Sequence, residues 1–192
     1  YDALVQSIRV TYEKGKAPHQ IQKLNLMVEK LLETATLDSE KLLLQKEEIN
    51  SIPFLKQIVQ KHQLITPNKT ISFSSNIDSL LIQIDKFHFE NAISNLIDNA
   101  IKYGGNTIKT FVNKALNEIE ISIIDNGGNL EKNQQEKIFD KFYRVPKGNT
   151  HNVKGFGIGL FYTKKIIEKH AGKISVIANK NTTEFKISLP YE

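Results

Sequence analysis

The spacing of apolar residues separates a first segment of the chain from the rest. From residue 21 onward, apolar side chains recur at alternating steps of three and four positions, at Ile21, Leu24, Val28, Leu31 and Ala35. This spacing predicts a helix with a narrow apolar seam, and residues 1–13 also have helical spacing before Gly15 and Pro18 interrupt it. We therefore predict a helical hairpin over residues 1–46, which would pair with a second copy to form a homodimer.

A different pattern begins after the charged stretch 45–50. Ser51 is the expected cap of a helix over 52–62, with Pro53 in its first turn. Further elements are predicted: helices at about 86–103 and 159–170, an amphipathic stretch at 134–142, and extended segments at 70–73, 108–113, 118–125, 173–178 and 184–189. Because the last two strands follow one another without a helical crossover, the pattern favours an α+β domain over 47–192, with helices on one face of an antiparallel or mixed sheet.

The composition fits a folded chain that carries no membrane segment of its own. Of the 192 residues, 40% are hydrophobic and 24% are charged, which is enough to bury a core. The sequence has neither an apolar run of about 18 residues nor a signal sequence at its start. We therefore expect a cytoplasmic location, with any membrane attachment through segments outside this chain. The absence of cysteine excludes disulfides, zinc–thiolate sites and a cysteine nucleophile.

The charge distribution argues against a nucleic-acid partner. Lys and Arg number 26 against 21 Asp and Glu, which gives a net charge of +5. The lysines are scattered and mostly alternate with acidic residues, and no stripe of arginine and aromatic residues is present. This pattern is typical of a solvated surface, although it would also suit a small anionic ligand.

Two asparagines in the predicted helix 86–103 are the first candidates for chemistry. Asn95 and Asn99 are four positions apart and therefore share one helix face, and Lys102 follows within a turn. Their carboxamide oxygens could hold Mg²⁺ whose other ligands are phosphate and water, while the lysine reaches a phosphate. A polar helix face that only contacts solvent is the alternative.

A carboxylate at the end of an apolar strand is the second candidate. The strand 118–125 ends in Asp125, and Gly127 and Gly128 follow directly. The Asp125 carboxylate could accept a hydrogen bond from an exocyclic amine such as that of adenine. A tight turn alone would also explain the glycines.

Three glycines directly before the last predicted helix are the third candidate. Gly155, Gly157 and Gly159 occupy alternate positions, in a spacing that differs from the Walker and dinucleotide-binding loops. Such an approach to a helix N-terminus leaves backbone N–H groups free and suits a polyphosphate. A flexible hinge is the alternative.

Taken together, these motifs resemble the catalytic ATP-binding domain of sensor histidine kinases, within the wider ATPase superfamily that includes DNA gyrase. In chain order, residues 95–103 look like the N box of that family, 125–128 like its G1 box, 138–144 like its F box and 155–160 like its G2 box. The F box favours a kinase over other members, such as chaperones. The resemblance implies a Bergerat-type two-layer α/β sandwich, and residues 28–35 look like part of the family's dimerisation hairpin.

The resemblance also implies a site for ATP and Mg²⁺. Asn95 and Asn99 would contact the metal and phosphates, Lys102 and Arg144 would contact phosphate, and Asp125 would hold the adenine amine. Residues 143–156 would form a lid over the nucleotide. The full set implied to bind nucleotide is Asn95, Asn99, Lys102, Tyr103, Asp125, Gly127, Arg144, Gly155, Gly157, Gly159 and Leu160. Among these, Asn95, Lys102 and Arg144 would act in catalysis.

Two departures from the family pattern affect these expectations. The G1 box has Asn129 where the family has a glycine, although asparagine tolerates left-handed dihedrals and nucleotide binding is expected to survive. The acceptor histidine that kinase chemistry requires would fall at or before Tyr1. His62 matches a His-x-Leu-x-Thr-Pro motif, but it follows the hairpin and leaves no room for two helices before Asn95, so we interpret it as a decoy.

The sequence therefore predicts the ATP-binding catalytic portion of a two-component sensor histidine kinase. Such a protein would transfer the γ-phosphoryl group of ATP to a histidine outside this chain, for relay to the receiver domain of a response regulator. The alternative is a non-catalytic nucleotide-binding or dimerisation module of a degenerate kinase. Asn129 favours that alternative, and the intact N box opposes it.

Overall fold

The computed structural model describes residues 42–128, 130–145 and 157–191. All of these except Leu42 belong to one compact unit, Leu43–Glu192. The hairpin predicted over 1–46 lies mainly outside the described residues, so the hairpin and the homodimer that it would form stay predictions. Asn129, Gly155 and most of the predicted lid lie outside the described residues as well.

The described residues form three α-helices and seven β-strands. In chain order these are β1 (Glu47–Asn50), α1 (Ser51–Ile65), β2 (Thr70–Ser75), β3 (Leu81–Ile84), α2 (Lys86–Tyr103), β4 (Thr107–Lys114), β5 (Glu118–Asp125), α3 (Gly159–Lys169), β6 (Lys173–Ala178) and β7 (Thr183–Pro190). Two short 3-10 turns, Lys132–Gln134 and Lys137–Phe139, lie at the stretch predicted to be amphipathic. None of the three helices described is both long and apolar enough to cross a bilayer.

Five of the strands form a single mixed sheet. Their order across the sheet is β2, β4, β5, β7, β6. β2 runs parallel to β4, and the other neighbouring strands are antiparallel. The predicted α+β fold with a mixed sheet is thereby confirmed.

Alternation along β5 places the core on one face of this sheet. Ile119, Ile121 and Ile123 are buried, and they belong to the same core cluster as the apolar residues of α1 and α2. Glu120 lies on the opposite face with its Oε1 atom 2.7 Å from Lys186 Nζ. Hydrogen bonding to Lys186 holds the pKa of the Glu120 carboxyl below its usual range. The sheet therefore has an apolar face toward the helices and a polar face at β5.

Helix α2 supplies both core residues and candidate site residues. Asp85 caps its N-terminus by accepting a hydrogen bond from the His88 N–H at 3.0 Å. Residues at helical spacing are buried, namely Phe89, Ala92, Ile93, Leu96, Ile97 and Ala100. Asn95 and Asn99 occupy other positions of the helix and are half-buried. The candidate metal ligands therefore lie at the edge of the core.

A short antiparallel ribbon of β1 and β3 was not evident from the sequence pattern. Each strand has four residues, too few for alternation to be detected, and the charges of 45–50 suggest a boundary between two segments instead.

The expectation that Ser51 caps α1 is wrong. Asn50 is the N-cap and accepts a hydrogen bond from the Ile52 N–H at 3.3 Å, whereas the Ser51 hydroxyl donates to Leu80 O. Both residue types suit an N-cap, so the sequence favours neither.

A buried histidine links the end of α3 to the start of α2. The His170 Nε2 atom accepts a hydrogen bond from the Asp85 N–H at 2.9 Å, and His170 Nδ1 lies 2.7 Å from Ile166 O. These partners select the neutral tautomer that is protonated on Nδ1, because a protonated Nε2 could not accept. Burial lowers the pKa of His170, and Lys46 and His88 act in the same direction, whereas the hydrogen bond to Ile166 O and the Asp85 carboxylate oppose them.

We expect His170→Leu to lower the free energy of unfolding by about 1–3 kcal/mol at pH 8, because the buried Asp85 N–H loses its acceptor. The difference between wild type and variant should shrink as the pH falls below about 6.5, since the unfolded chain then binds a proton that the folded chain excludes from His170. Urea unfolding of both proteins at several pH values between about 8 and 5 measures this difference. A difference that stays constant with pH would contradict the lowered pKa of His170.

His62 in α1 has the opposite protonation preference. Its Nδ1 atom lies 3.0 Å from Ile58 O and its Nε2 atom 3.5 Å from Asp98 Oδ1, so both ring nitrogens face an acceptor. Hydrogen bonding to Asp98 raises the pKa of His62, while burial and Lys61 act in the other direction. A buried, paired imidazole supports the interpretation of His62 as a decoy for the phosphoryl acceptor.

His62→Gln should therefore show the reverse trend with pH. We expect wild type to be more stable than this variant by at most about 1 kcal/mol below pH 6.5, because the contact of the imidazolium with half-exposed Asp98 is then formed. The advantage should be lost as the pH rises through the folded-state pKa of His62, when the proton leaves. The same urea series measures it, and an advantage that grows with rising pH would rule out the ion pair.

Candidate functional site

The N-terminus of α3 lies against the polar face of α2. A Cβ atom at Gly159, the first residue of α3, would lie 3.5 Å from Asn95 Oδ1. One turn later, the buried Thr163 hydroxyl lies 3.0 Å from Gly159 O and 3.3 Å from Ala92 O and can donate to either. The Thr163 side chain therefore lies in the contact between α3 and α2. Asn95 and Gly159, which belong to separate sequence motifs, are thereby neighbours.

The first turn of α3 presents backbone N–H groups that its own N-cap does not satisfy. The N-cap is Ile158, whose side chain makes no capping hydrogen bond. Gly157 has φ +70°, and a Cβ atom there would lie 2.7 Å from Tyr143 O, so this position requires glycine. Leu160 is half-buried and packs against the core. A helix N-terminus of this kind carries partial positive charge and suits a phosphate group.

The F box is connected to the segment before α3. The Phe142 N–H donates a hydrogen bond to Gly157 O at 2.9 Å. Phe139 is buried and makes an edge-to-face contact with Phe185, with ring centroids 6.3 Å apart. Phe142 and Arg144 are exposed. One aromatic residue thus anchors the F box in the core and keeps the box beside the start of α3.

Asp125 closes β5 with a buried carboxyl group. The residue is 4% exposed and accepts a hydrogen bond from the Gly127 N–H at 2.8 Å. Burial raises the pKa of Asp125, and hydrogen bonds from the Gly127 and Gly105 N–H groups and the charge of Lys69 offset this rise in part. A carboxylate has about four lone-pair sites, so the Asp125 carboxylate has capacity for a further donor.

Glycines allow the loops after α2 and β5 to approach each other around Asp125. Gly104 ends α2, and its N–H donates to Ala100 O at 2.9 Å. A Cβ atom at Gly104 would lie 2.5 Å from Asp125 Cγ, and one at Gly127 would collide with the backbone of Gly104 and Gly105. Gly127 therefore permits close contact between two loops, beyond the tight turn that the sequence suggests.

Lys69 and the Gly104–Gly105 pair are functional candidates that the sequence motifs did not indicate. Lys69 Nζ lies 2.6 Å from Ile101 O and 2.9 Å from Gly105 O. A glycine directly after a predicted helix is a helix-ending signal, so Gly104 could have been found in that way. No local pattern marks Lys69, because its partners are 32 and 36 residues away in the sequence.

The remaining candidate side chains lie on the surface. Lys102 is exposed, with Nζ 3.8 Å from Asp98 Oδ2 one turn earlier in α2. Tyr103 is the last residue of α2, and Arg144 is the next to last residue of the described segment 130–145; both are exposed. The structure thus brings Asn95 next to Gly159, and Asp125 next to the loop after α2. The assignment of the exposed side chains to nucleotide stays a prediction.

Comparison with known proteins identifies the class of domain that has this arrangement. The family model described as "Histidine kinase-, DNA gyrase B-, and HSP90-like ATPase" matches residues 84–192, more than half of the chain. The sensor protein RprX of Bacteroides fragilis (strain YCH46) is 36% identical over 194 residues, an alignment that covers 92% of this chain and 37% of RprX. The chain therefore spans about a third of the length of that relative.

Solved structures share the fold. The catalytic domain of the histidine kinase ThkA superposes with a TM-score of 0.67 at 24% identity, covering 77% of this chain and 97% of that one. ThkA solved in complex with the response regulator TrrA gives a TM-score of 0.68 at 21% identity, covering 99% of this chain and 57% of that one. These findings confirm the resemblance drawn from the four boxes. The chain belongs to the histidine kinase-, DNA gyrase B- and HSP90-like ATPase family, and over most of its length it is similar to the sensor protein RprX.

Proposed function

We propose that this chain binds Mg-ATP beside α2 and α3 and transfers the γ-phosphoryl group to a histidine that lies outside it. The observation that carries this proposal is the proximity of Asn95 of α2 to Gly159 at the open N-terminus of α3. An amide oxygen that can bind a hard cation then lies beside backbone N–H groups that can bind an anion. A metal-bound polyphosphate is the ligand that satisfies both.

Asp125 would recognise the base of the nucleotide. Its carboxylate is buried at the end of β5 and can accept a hydrogen bond from the exocyclic amine of adenine. A guanine or hypoxanthine base has a carbonyl oxygen at the equivalent position, which would leave two acceptors facing each other. The expected preference is therefore for adenine nucleotides.

Mg²⁺ would be held by the amide oxygens of Asn95 and Asn99, which are four positions apart on α2. Two neutral oxygens are a fitting share of the octahedral shell of Mg²⁺ when phosphates and water supply the rest. The ion would neutralise charge on the phosphate groups. Lys102, one turn further along α2, and Arg144 of the F box would add positive charge near the γ-phosphoryl group as it is transferred. Gly155 would lie in the lid over the nucleotide.

The phosphoryl acceptor is proposed to come from a histidine outside this chain. Among the described histidines, His62 is paired with Asp98, His88 lies 2.9 Å from the Tyr162 hydroxyl, and His170 is buried. These side chains have roles within the fold. A homodimer through the predicted hairpin would present the acceptor, on the cytoplasmic side of any membrane to which further segments attach the protein.

A response regulator is the proposed partner for the relay. The fold of this chain resembles that of ThkA, and ThkA has been solved in complex with the response regulator TrrA, which supports the proposal.

The second candidate function is a nucleotide-binding module without transfer. Asn129, which replaces a glycine of the G1 box, is the observation that favours it.

Asp125→Asn should weaken binding of ADP by about tenfold or more, because the single amide oxygen would accept from the Gly127 N–H and the NH₂ group would then face the adenine amine. The substitution preserves shape and removes a buried charge, so the variant should remain folded. Isothermal titration calorimetry with ADP and Mg²⁺ measures the change. Glu120→Gln on the same strand is the matched control and should bind as wild type, since Glu120 lies on the polar face. Unchanged affinity in Asp125→Asn would contradict the proposed base site.

Phosphoryl transfer is tested by adding a separate hairpin that carries an acceptor histidine. With radiolabelled Mg-ATP, wild type should label the hairpin with acid-labile phosphate, and Asn95→Ala should reduce the rate by about a hundredfold or more because the metal loses a ligand. Asn113→Ala on β4 is the control and should retain the wild-type rate. Tight nucleotide binding without any labelling would support the non-catalytic module instead.

A further inference from the structure

We propose that Lys69 is a positioning residue for base recognition: its ammonium group holds the loop after α2 in the place where that loop supports Asp125. The inference rests on the proposed role of Asp125 in binding adenine. It adds a residue that lies just before β2, outside the four boxes that resemble the kinase family.

The ammonium group of Lys69 is surrounded by main-chain carbonyl oxygens. Its Nζ atom lies 2.6 Å from Ile101 O, 2.9 Å from Gly105 O and 3.4 Å from Gly104 O. An ammonium group has three donors and thus matches three acceptors. The last carbonyls of an α-helix have no partner within the helix and carry partial negative charge, so a cation at this place stabilises the end of α2.

Lys69 is itself fixed by its neighbours along the chain. Its backbone N–H donates to Thr66 O at 3.2 Å, in the turn that follows α1. The next residue, Thr70, donates its N–H to Asn106 O at 2.8 Å. The main chain on both sides of the lysine is therefore bonded, once to the end of α1 and once to the loop that follows α2. A side chain that extends from such a fixed point can define the position of the loop.

The loop that Lys69 holds is the one that supports Asp125. Gly104 lies so close to the Asp125 carboxyl group that a Cβ atom there would be 2.5 Å from Asp125 Cγ. The Gly105 N atom lies in the same close approach, because a Cβ atom at Gly127, two residues after Asp125, would collide with it, and the Gly105 N–H acts to lower the pKa of the Asp125 carboxyl. Gly104 and Gly105 thus bind Lys69 through their carbonyl oxygens and contact Asp125 on their other side.

Removal of the ammonium group should therefore act on recognition of the base. Without Lys69, three carbonyl oxygens would face one another with no donor between them, and the loop would have to move away to reach water. The Gly105 N–H would then move away from Asp125. The α3 N-terminus and Asn95, which face the polyphosphate, have their own contacts through Thr163 and do not depend on this loop.

The test compares the affinities of ATP and inosine triphosphate, which differ at the exocyclic group that Asp125 would recognise. Calorimetry on the full chain with Mg²⁺ should show that wild type prefers ATP. Lys69→Met should bind ATP about tenfold more weakly while its affinity for inosine triphosphate stays as in wild type, so that the preference is lost. Lys69→Arg, which keeps the charge and donors, should restore most of it. Lys61→Met, an exposed lysine of α1, is the control and should match wild type.

The two proposals fail in different ways. If Asp125→Asn abolishes the preference for ATP and Lys69→Met keeps it, the role of Lys69 is wrong and the base site stands. If Asp125→Asn keeps the preference, the base site itself is wrong. Equal losses for both nucleotides in Lys69→Met would indicate a structural role only and would also overturn the inference.

A measurement on wild type makes the test independent of any variant's folding. The amide proton of Gly105 should exchange slowly with solvent, and its NMR shift should follow the titration of the Asp125 carboxyl. Rapid exchange, or a shift that is constant while Asp125 titrates, would overturn the inference.

Discussion

The packing of α2 against the sheet is the constraint on which the rest of the structure depends. One side of this helix buries Phe89, Ile93 and Leu96 in the core, and each is inaccessible to solvent. Burial of several large apolar side chains fixes the rotation of a helix about its axis, because any turn would expose some of them. The direction in which Asn95 and Asn99 face is therefore a result of core packing. The candidate metal ligands need no separate scaffold.

The two ends of the candidate site are built by different physical means. At the phosphate end, helix packing brings Asn95 to the start of α3, and the Thr163 hydroxyl ties the two helices together. At the base end, Gly104 and Gly127 allow backbone to contact backbone where any side chain would collide. The first arrangement relies on large buried side chains and the second on their absence. Each arrangement explains a sequence motif that, taken alone, could also be a solvent-facing helix surface or a simple turn.

The sequence predicts most elements of the fold but not the interactions that join them. Helix α2 has 18 residues, a clear apolar period and Asp85 as a capping residue, so its bounds could be predicted. The ribbon of β1 and β3 could not, because four residues give too little alternation. The boxes identify Asp125 and Gly157 as candidates by residue type and order. The sequence does not indicate Lys69, because its partners are main-chain carbonyl groups, which every residue has. Only the fold brings the carbonyl groups at the end of α2 close to this lysine.

The contact between Gln45 and Asp85 has a mechanical consequence. The Gln45 N–H donates to Asp85 Oδ2 at 2.9 Å, and the same carboxylate caps α2 through the His88 N–H. The main chain at Gln45 is thus hydrogen-bonded directly to the residue that caps α2. Asn95 lies about 15 Å from Asp85 along the helix axis, at roughly 1.5 Å per residue. A displacement of the main chain at Gln45 would therefore act on Asp85 and move α2 as a rigid body. The amide oxygen of Asn95 would move with the helix.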